Sequence, residues 1–356
     1  MAEQKLTAAQ RMLNFAALTR QNRHMIGKQS TADELSTIQF VYPTNRLLAQ
    51  TYVKVDVDIN VKHASGTALT LKSNYELARI IRKITQDLNI GFRPVVMSGE
   101  ELLMFNTIAT HPAKITSQDG MILNVNGSCT LKSSATGLSN KYSMVFELKN
   151  TLNDSMLQGL ILLQNKATQM TLNVDIGTAN EVVKDYAGYT ATLNKVDVTP
   201  MMTTYSVPSD ERAFPDISVL RLVQSKSTVF SSGGEHTVYL DTGTIYRKLG
   251  LYFTDEAGLP LKDSDITSNI EIAFNTADIP YSVSAEMLRF LNADEFGQRL
   301  REGLYVFDFS SQSPLIGYGG TRDYIDTDNL TLFTLKFNTD KACKVTCLTE
   351  QLSRLV

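Results

Sequence analysis

At 356 residues, with 43% hydrophobic residues and a net charge of −3, the chain is long enough to bury two cores of about 150 residues each, and it has no overall attraction for nucleic acid. Three cysteines, Cys129, Cys343 and Cys347, give no disulfide framework and point to a reducing compartment. No apolar run reaches the roughly 18 residues of a membrane span, and Arg11 and Asn14 interrupt any secretory segment at the N-terminus.

The first thirty residues differ from the rest. Thr7-Ala8-Ala9-Gln10 fits a capping box, and Leu6, Ala9, Met12, Leu13 and Ala16 then recur at helical spacing. Five basic residues (Lys5, Arg11, Arg20, Arg23, Lys28) stand against one acid, Glu3, in residues 1–28. That tip is +4, and the remaining chain is about −7. Two readings are open for this segment: a helix packed on its own domain, or an arm that docks on a neighbour or lies on a membrane surface.

Val53, Val55, Val57, Ile59 and Val61 alternate with Lys54, Asp56, Asp58 and Asn60, the pattern of a strand with one buried and one wet face. The same signature returns at 142–148, 170–176, 270–274 and 333–337. A first strand-rich block runs from Leu48 to Val198, with further strands expected at Met121–Val125, Gly159–Leu163 and Tyr189–Leu193. Within it Leu77, Ile80, Ile81, Ile84 and Leu88 have helical spacing, whereas the isoleucine-rich Arg79–Thr85 reads equally as a strand. Ser98-Gly99-Glu100-Glu101 has the form of a helix start. Pro200, Pro208 and Pro215 mark residues 199–215 as a connector.

A second block begins at Ile217–Gln224. It continues through 237–241, 246–254, 269–274, 304–309, 330–337 and 343–348. A helical insert is expected over Ser284–Arg301, with a fresh N-cap at Asn292 and a stop at Gly303. Two similar blocks in series imply tandem sandwiches of one architecture.

Chemistry is hard to find. The histidines (His24, His63, His111, His236) are isolated, and neither a nucleophile elbow nor a phosphate-binding glycine loop occurs. The cluster Gly317-Tyr318-Gly319-Gly320 lacks a phosphate-directed lysine and reads as a loop. Cys343 and Cys347 lie four apart, on one face of a strand, and read as small core residues. Asp323, Asp326 and Asp328 form an acidic turn without the glycine and distal glutamate of a calcium loop. Sequence does not give the separation of carboxylate pairs, so glycoside hydrolysis stays open. The absence of tryptophan weighs against a sugar-binding sandwich.

This order of parts resembles the double jelly-roll major capsid proteins of tectiviruses, tailless bacteriophages with an internal membrane. The resemblance rests on the Leu6-Thr7-Ala8-Ala9-Gln10 arm, on Asp154–Leu163 followed by Gln169–Ile176, and on Arg299–Asp308. The loops 89–96 and 251–268 depart from the family, so its surface towers do not carry over. The resemblance implies an all-β fold of two tandem eight-stranded jelly rolls, with short helical inserts and an N-terminal amphipathic helix. It divides the chain into an arm (1–44), a first jelly roll (45–198), a connector (199–215) and a second jelly roll (216–356), and it makes Arg79–Thr85 a strand. It further implies a structural protein, not an enzyme, without catalytic, cofactor-binding or metal-binding residues. The subunit would form homotrimers that tile as pseudo-hexagonal capsomers in the icosahedral shell of a virion assembled in the host cytoplasm. Its partners would be neighbouring capsomers, vertex and minor capsid proteins and the internal membrane, with no direct contact to nucleic acid. Lys5, Leu6, Arg11, Met12, Leu13, Phe15, Arg20, Arg23 and Lys28 would form a membrane-facing or intersubunit arm. The alternative is a carbohydrate-binding or glycan-hydrolysing tandem sandwich.

Overall fold

The computed structural model describes residues 8–89, 91–109, 122–123, 130–152, 157–164, 169–210, 213–214, 217–275, 278–310 and 323–354. The chain divides into two compact units. Unit 1 comprises Met1–Leu102, Met121–Arg221 and Arg354–Val356; unit 2 comprises Leu103–Gly120 and Leu222–Ser353.

Unit 1 opens with helix α1 (Ala8–Leu18), then β1 (Gln21–Met25), β2 (Gln29–Thr31), β3 (Thr37–Val41) and the long β4 (Arg46–Lys62). After the short β5 (Leu69–Thr70) comes a 3-10 helix over Asn74–Ile80, followed by β6 (Ile81–Leu88), β7 (Phe92–Met97) and α2 (Gly99–Ala109, grouped with unit 2 from Leu103 on). Next are β8 (Ile122–Leu123), β9 (Thr130–Leu131), β10 (Leu138–Lys149), β11 (Ile161–Leu163), β12 (Met170–Ile176), α3 (Asn180–Val183) and β13 (Thr190–Tyr205). Two antiparallel sheets result, one ordered β1-β13-β4-β10-β8 and the other containing β7-β6-β12-β3. The alternation in β4 works as expected: Val53, Val55, Val57, Ile59 and Val61 are each at most 2% exposed, and their polar neighbours face outward. Inside, the buried Tyr42 hydroxyl meets Thr51 of β4 at 2.9 Å and accepts from Gln86 of β6 at 2.9 Å, so one hydroxyl ties both sheets. Burial pushes that phenol up to about 12.

Both readings of residues 77–88 are partly right. The helical spacing ends at Ile80 in 3-10 form, and a strand begins at Ile81. The 3-10 turn is capped by Ser73, whose side chain accepts from Tyr75 N–H. Arg79 is fixed at its end between Glu100 at 3.0 Å and Asp185 at 2.5 Å. Ser98 and Glu101 form a reciprocal capping box at the start of α2, with bonds of 3.3 and 2.9 Å.

Residues 199–205, expected in a connector, continue β13. Pro200 is accommodated because β1 pairs only with residues 201–205 and β2 only with 196–198. The proline falls in the gap, where no N–H is needed, and its carbonyl accepts from Ile26.

Unit 2 holds β14 (Val219–Phe230, its first three residues grouped with unit 1), β15 (Gly234–Tyr239), β16 (Ile245–Thr254), β17 (Ile270–Phe274) and β18 (Asp278–Val283). Helix α4 (Ala285–Phe296) follows, then β19 (Leu304–Asp308), β20 (Ile325–Asp326), β21 (Phe333–Thr339) and β22 (Cys343–Arg354). The sheets run β19-β16-β22-β14 and β15-β21-β17-β18. Their facing side chains form one core that includes Leu251 and Phe253 of β16, Ile272 of β17 and Phe337 of β21. Phe253 and Phe337 meet edge to face with centroids 4.9 Å apart. Cys343 and Cys347 belong to this core, and burial raises both thiols, Cys347 to about 12.

The helical insert is shorter than expected. Ser284 caps α4, and Gly297, at φ 62°, ends it in the left-handed conformation. Asn292 is no second N-cap. It is buried within α4, where its amide donates to Val306 O (2.7 Å) and accepts from Val306 N–H (2.8 Å), closing the free edge of β19. Gly303, at φ 76°, serves the turn into β19 instead.

Candidate assembly surfaces

Helix α1 is anchored to unit 1 by an aromatic side chain. Phe15 is 1% exposed, packs with Leu47, Ala49 and Leu160, and meets the Tyr205 ring edge to face at 5.3 Å. Thr19 ends the helix by donating its hydroxyl to Phe15 O at 2.7 Å. β1 then pairs with β13 in five-residue register, Gln21 to Tyr205 through Met25 to Met201. Phe15 is therefore a core residue of its own unit and is unavailable to lipid or a neighbour, a correction to its expected role.

Residues 10–14 and 16–18 of the helix are not covered in this way. Met12, Leu13 and Leu18 are 38, 71 and 49% exposed, and Met25 on β1 is 66% exposed. Arg11, Arg20, Arg23 and Lys28 are all exposed as well. Lys5 and Leu6, with the Thr7 of the expected capping box, lie outside the described residues. His24 is half-buried, and burial together with nearby Arg46 lowers its pKa.

Lys28 takes a different part from the other arm cations. Its ammonium lies 3.1 Å from Asp197 on β13, a carboxylate that also accepts from Ser30 and lies 2.9 Å from Lys195. Burial opposes the charge on Asp197, but the bonds from Ser30, Lys195 and Lys28 outweigh it and hold the group at about 2. A lowered carboxyl stabilises above its ordinary value of 3.8 and ceases to do so as pH falls through about 2. Protection of the residue 28–31 amides, their exchange rate taken relative to the intrinsic rate at each pH, should therefore be high at pH 5 and fall as pH drops from about 4 towards 2. In Asp197→Asn it should be low at both ends.

Sequence reading missed a second surface. On α4, Met287, Phe290 and Leu291 are 52, 68 and 45% exposed and lie three and four residues apart, which makes one stripe. Ile279 on the edge strand β18 is also exposed, at 44%. The i, i+3, i+4 spacing was visible in the sequence. What hid the stripe was that Ala285, Leu288 and Phe296 supply the buried face of the same helix.

The expected acidic turn gathers no ligand set. Asp326 accepts from Asp328 N–H at 3.0 Å, an ordinary turn bond, and no cluster suited to a metal ion occurs among the described residues. Cys129 and Gly317–Gly320 lie outside them. No helix is long and apolar enough to cross a membrane, again among the described residues.

No family model matches the sequence, and neither does any curated protein. Solved structures do match. The major capsid protein of Sulfolobus turreted icosahedral virus aligns over 93% of this chain and 96% of its own, with a TM-score of 0.65 at 12% identity. The capsid of virus PBCV-1 aligns over 94% of each chain, with a TM-score of 0.66 at 9% identity. For the major capsid protein of bacteriophage PM2 the figures are 94% and 98%, with a TM-score of 0.55 at 10% identity. The fold is a double jelly roll. At such low identity the likeness concerns the fold, and it extends through both units. The carbohydrate-binding alternative draws no support from these double jelly-roll neighbours.

Proposed function

We propose that this double jelly roll is a major capsid protein, which trimerises into pseudo-hexagonal capsomers of an icosahedral shell built over an internal membrane. The observation that carries the reading is the match of nearly the whole chain, both jelly rolls together, to viral major capsid proteins. Three subunits with two sandwiches each make a six-sided tile. The membership of a tectivirus in particular rests on the sequence resemblance alone.

The exposed apolar stripe on α4 and the exposed apolar side chains of α1 support a surface made for other subunits. A threefold interface of this kind buries about 2,000 Å² or more in total. The arm suits an anionic membrane face, because each exposed cation near lipid contributes about 1 kcal/mol. Weak single contacts add up when many arms are held in one lattice. Vertex and minor capsid proteins would meet the same outer tile edges, and the chain would act as a structural protein in the virion.

Sedimentation of the purified protein should give a trimer of the 39.5 kDa chain, and electron microscopy should show hexagonal outlines. A monomer at micromolar concentration would overturn the reading. Deleting residues 2–28 separates the roles of the arm. Trimers that persist but lose salt-sensitive binding to anionic liposomes assign it to the membrane, whereas loss of the trimer assigns it to the subunit interface.

A further inference from the structure

We propose that Lys248 and Asp308 condense within unit 2 into an amide, an isopeptide cross-link that the folded protein makes by itself. The two residues are directly opposed in the antiparallel register of β16 and β19, so their side chains share a face. Lys248 Nζ is in direct contact with Asp308 Oδ2, and the two side chains are 4% and 0% exposed. The Phe296 ring stands 5.6 Å from the same ammonium and helps to exclude water.

Local sequence explains why a lysine is buried here. The register between β16 and β22 shifts between Tyr246 and Lys248, so Arg247 is an extra, bulged residue. Tyr246 and Leu249 join the core, while Arg247 pairs with the Glu350 carboxylate on β22 and Lys248 with Asp308.

The surroundings of Asp308 fit acyl transfer. Its Oδ1 accepts from Ser310 N–H at 2.8 Å and from the Ser310 hydroxyl at 2.5 Å. Those donors mark Oδ1 as the oxygen that stays and stabilise the negative charge it gains in a tetrahedral adduct. Oδ2, on the amine side, is the oxygen that leaves. Glu295 is supplied by α4. Asn292, one turn earlier, is bonded to the backbone of Val306, two residues before Asp308, which brings the Glu295 side of α4 alongside β19. Burial, then the neighbouring Asp308 charge, push Glu295 up to about 7; Lys248 opposes them and Asp294 adds to them. Near neutral pH Glu295 therefore both gives and takes a proton.

The step balances. Moving one proton from the ammonium to Asp308 neutralises a desolvated pair and frees the nitrogen lone pair. Nζ bonds to Cγ of Asp308, a second proton passes from Nζ by way of Glu295 to Oδ2, and the Cγ–Oδ2 bond breaks to release water. One ammonium and one carboxylate become one amide and one water, with no oxidant or co-reactant. The event happens once per chain and is a self-modification without turnover, so it is compatible with a structural role. It joins residues 60 apart in sequence and holds the edge strand β19 covalently to the sheet.

Intact-mass measurement of the denatured full-length protein tests this. The wild type should be lighter than its sequence by one water, and digestion should yield a branched peptide joining Lys248 to Asp308. Lys248→Arg keeps the ion pair but should have the full sequence mass. Glu295→Gln should form the cross-link at least tenfold more slowly and lose the wild-type pH dependence of its rate near pH 7. Folded wild type that keeps its full mass after prolonged incubation overturns the proposal, as does a lost water that maps to any other residue. Glu295→Gln cross-linking at the wild-type rate removes Glu295 from the reaction.

Discussion

Glu350→Leu should lower the stability of unit 2 by about 3–5 kcal/mol, because it leaves a buried guanidinium without its carboxylate. Arg247 and Glu350 are each 1% exposed and in direct contact, and Tyr324 accepts from Arg247 Nε at 2.9 Å. Burial works against the Arg247 cation, and Glu350, more than Tyr324 or Asp308, reverses this and raises its pKa. The variant removes that support, yet a guanidinium stays protonated near neutral pH, so the charge is left buried without its carboxylate. A loss of that size approaches the whole stability of an ordinary domain, about 5–15 kcal/mol. Chemical denaturation followed at the tyrosines of unit 2 measures it. The double variant Arg247→Met/Glu350→Leu should recover most of the loss, since a packed apolar pair avoids desolvating two charges. If the single variant is nearly as stable as wild type, the pair is more hydrated than its burial shows.

Phe15→Ala should release the N-terminal helix without unfolding unit 1. Removing a buried phenylalanine costs about 3–5 kcal/mol, and an eleven-residue helix is marginal in water on its own. The loss therefore exceeds what holds α1 in place, while the pairing of β1 with β13 is left intact. Limited proteolysis should cut within 8–18 at least tenfold faster, with the main unfolding transition little changed. Phe15→Leu should behave almost as wild type. A large fall in the main transition would mean that the helix is an integral part of unit 1. On the capsid reading, Phe15→Ala also tests whether an ordered α1 is needed for trimers.

The strands were legible because their signal is local. Val53 to Val61 alternate with polar residues, and period two on a strand fixes which side faces the core whatever the rest of the chain does. The helix starts at Ser98 and Ser284 were open to reading too, since a hydroxyl accepting from the backbone N–H three residues on is a short-range bond. The arm could be seen as basic and amphipathic, but the sequence left open which apolar side chain anchors it. Phe15 is buried only because Leu47, Leu160 and Tyr205, distant in sequence, converge there. Tertiary structure likewise decided Pro200, which looked like a connector until two short partner strands left it a gap. It also turned Asn292 from an expected cap into the seal of an edge strand. The pairings of Arg247 with Glu350 and of Lys248 with Asp308 join residues 103 and 60 positions apart. Periodicity reports which side of an element is buried; strand register and a single bulge decide which charges meet there, and those depend on the whole sheet.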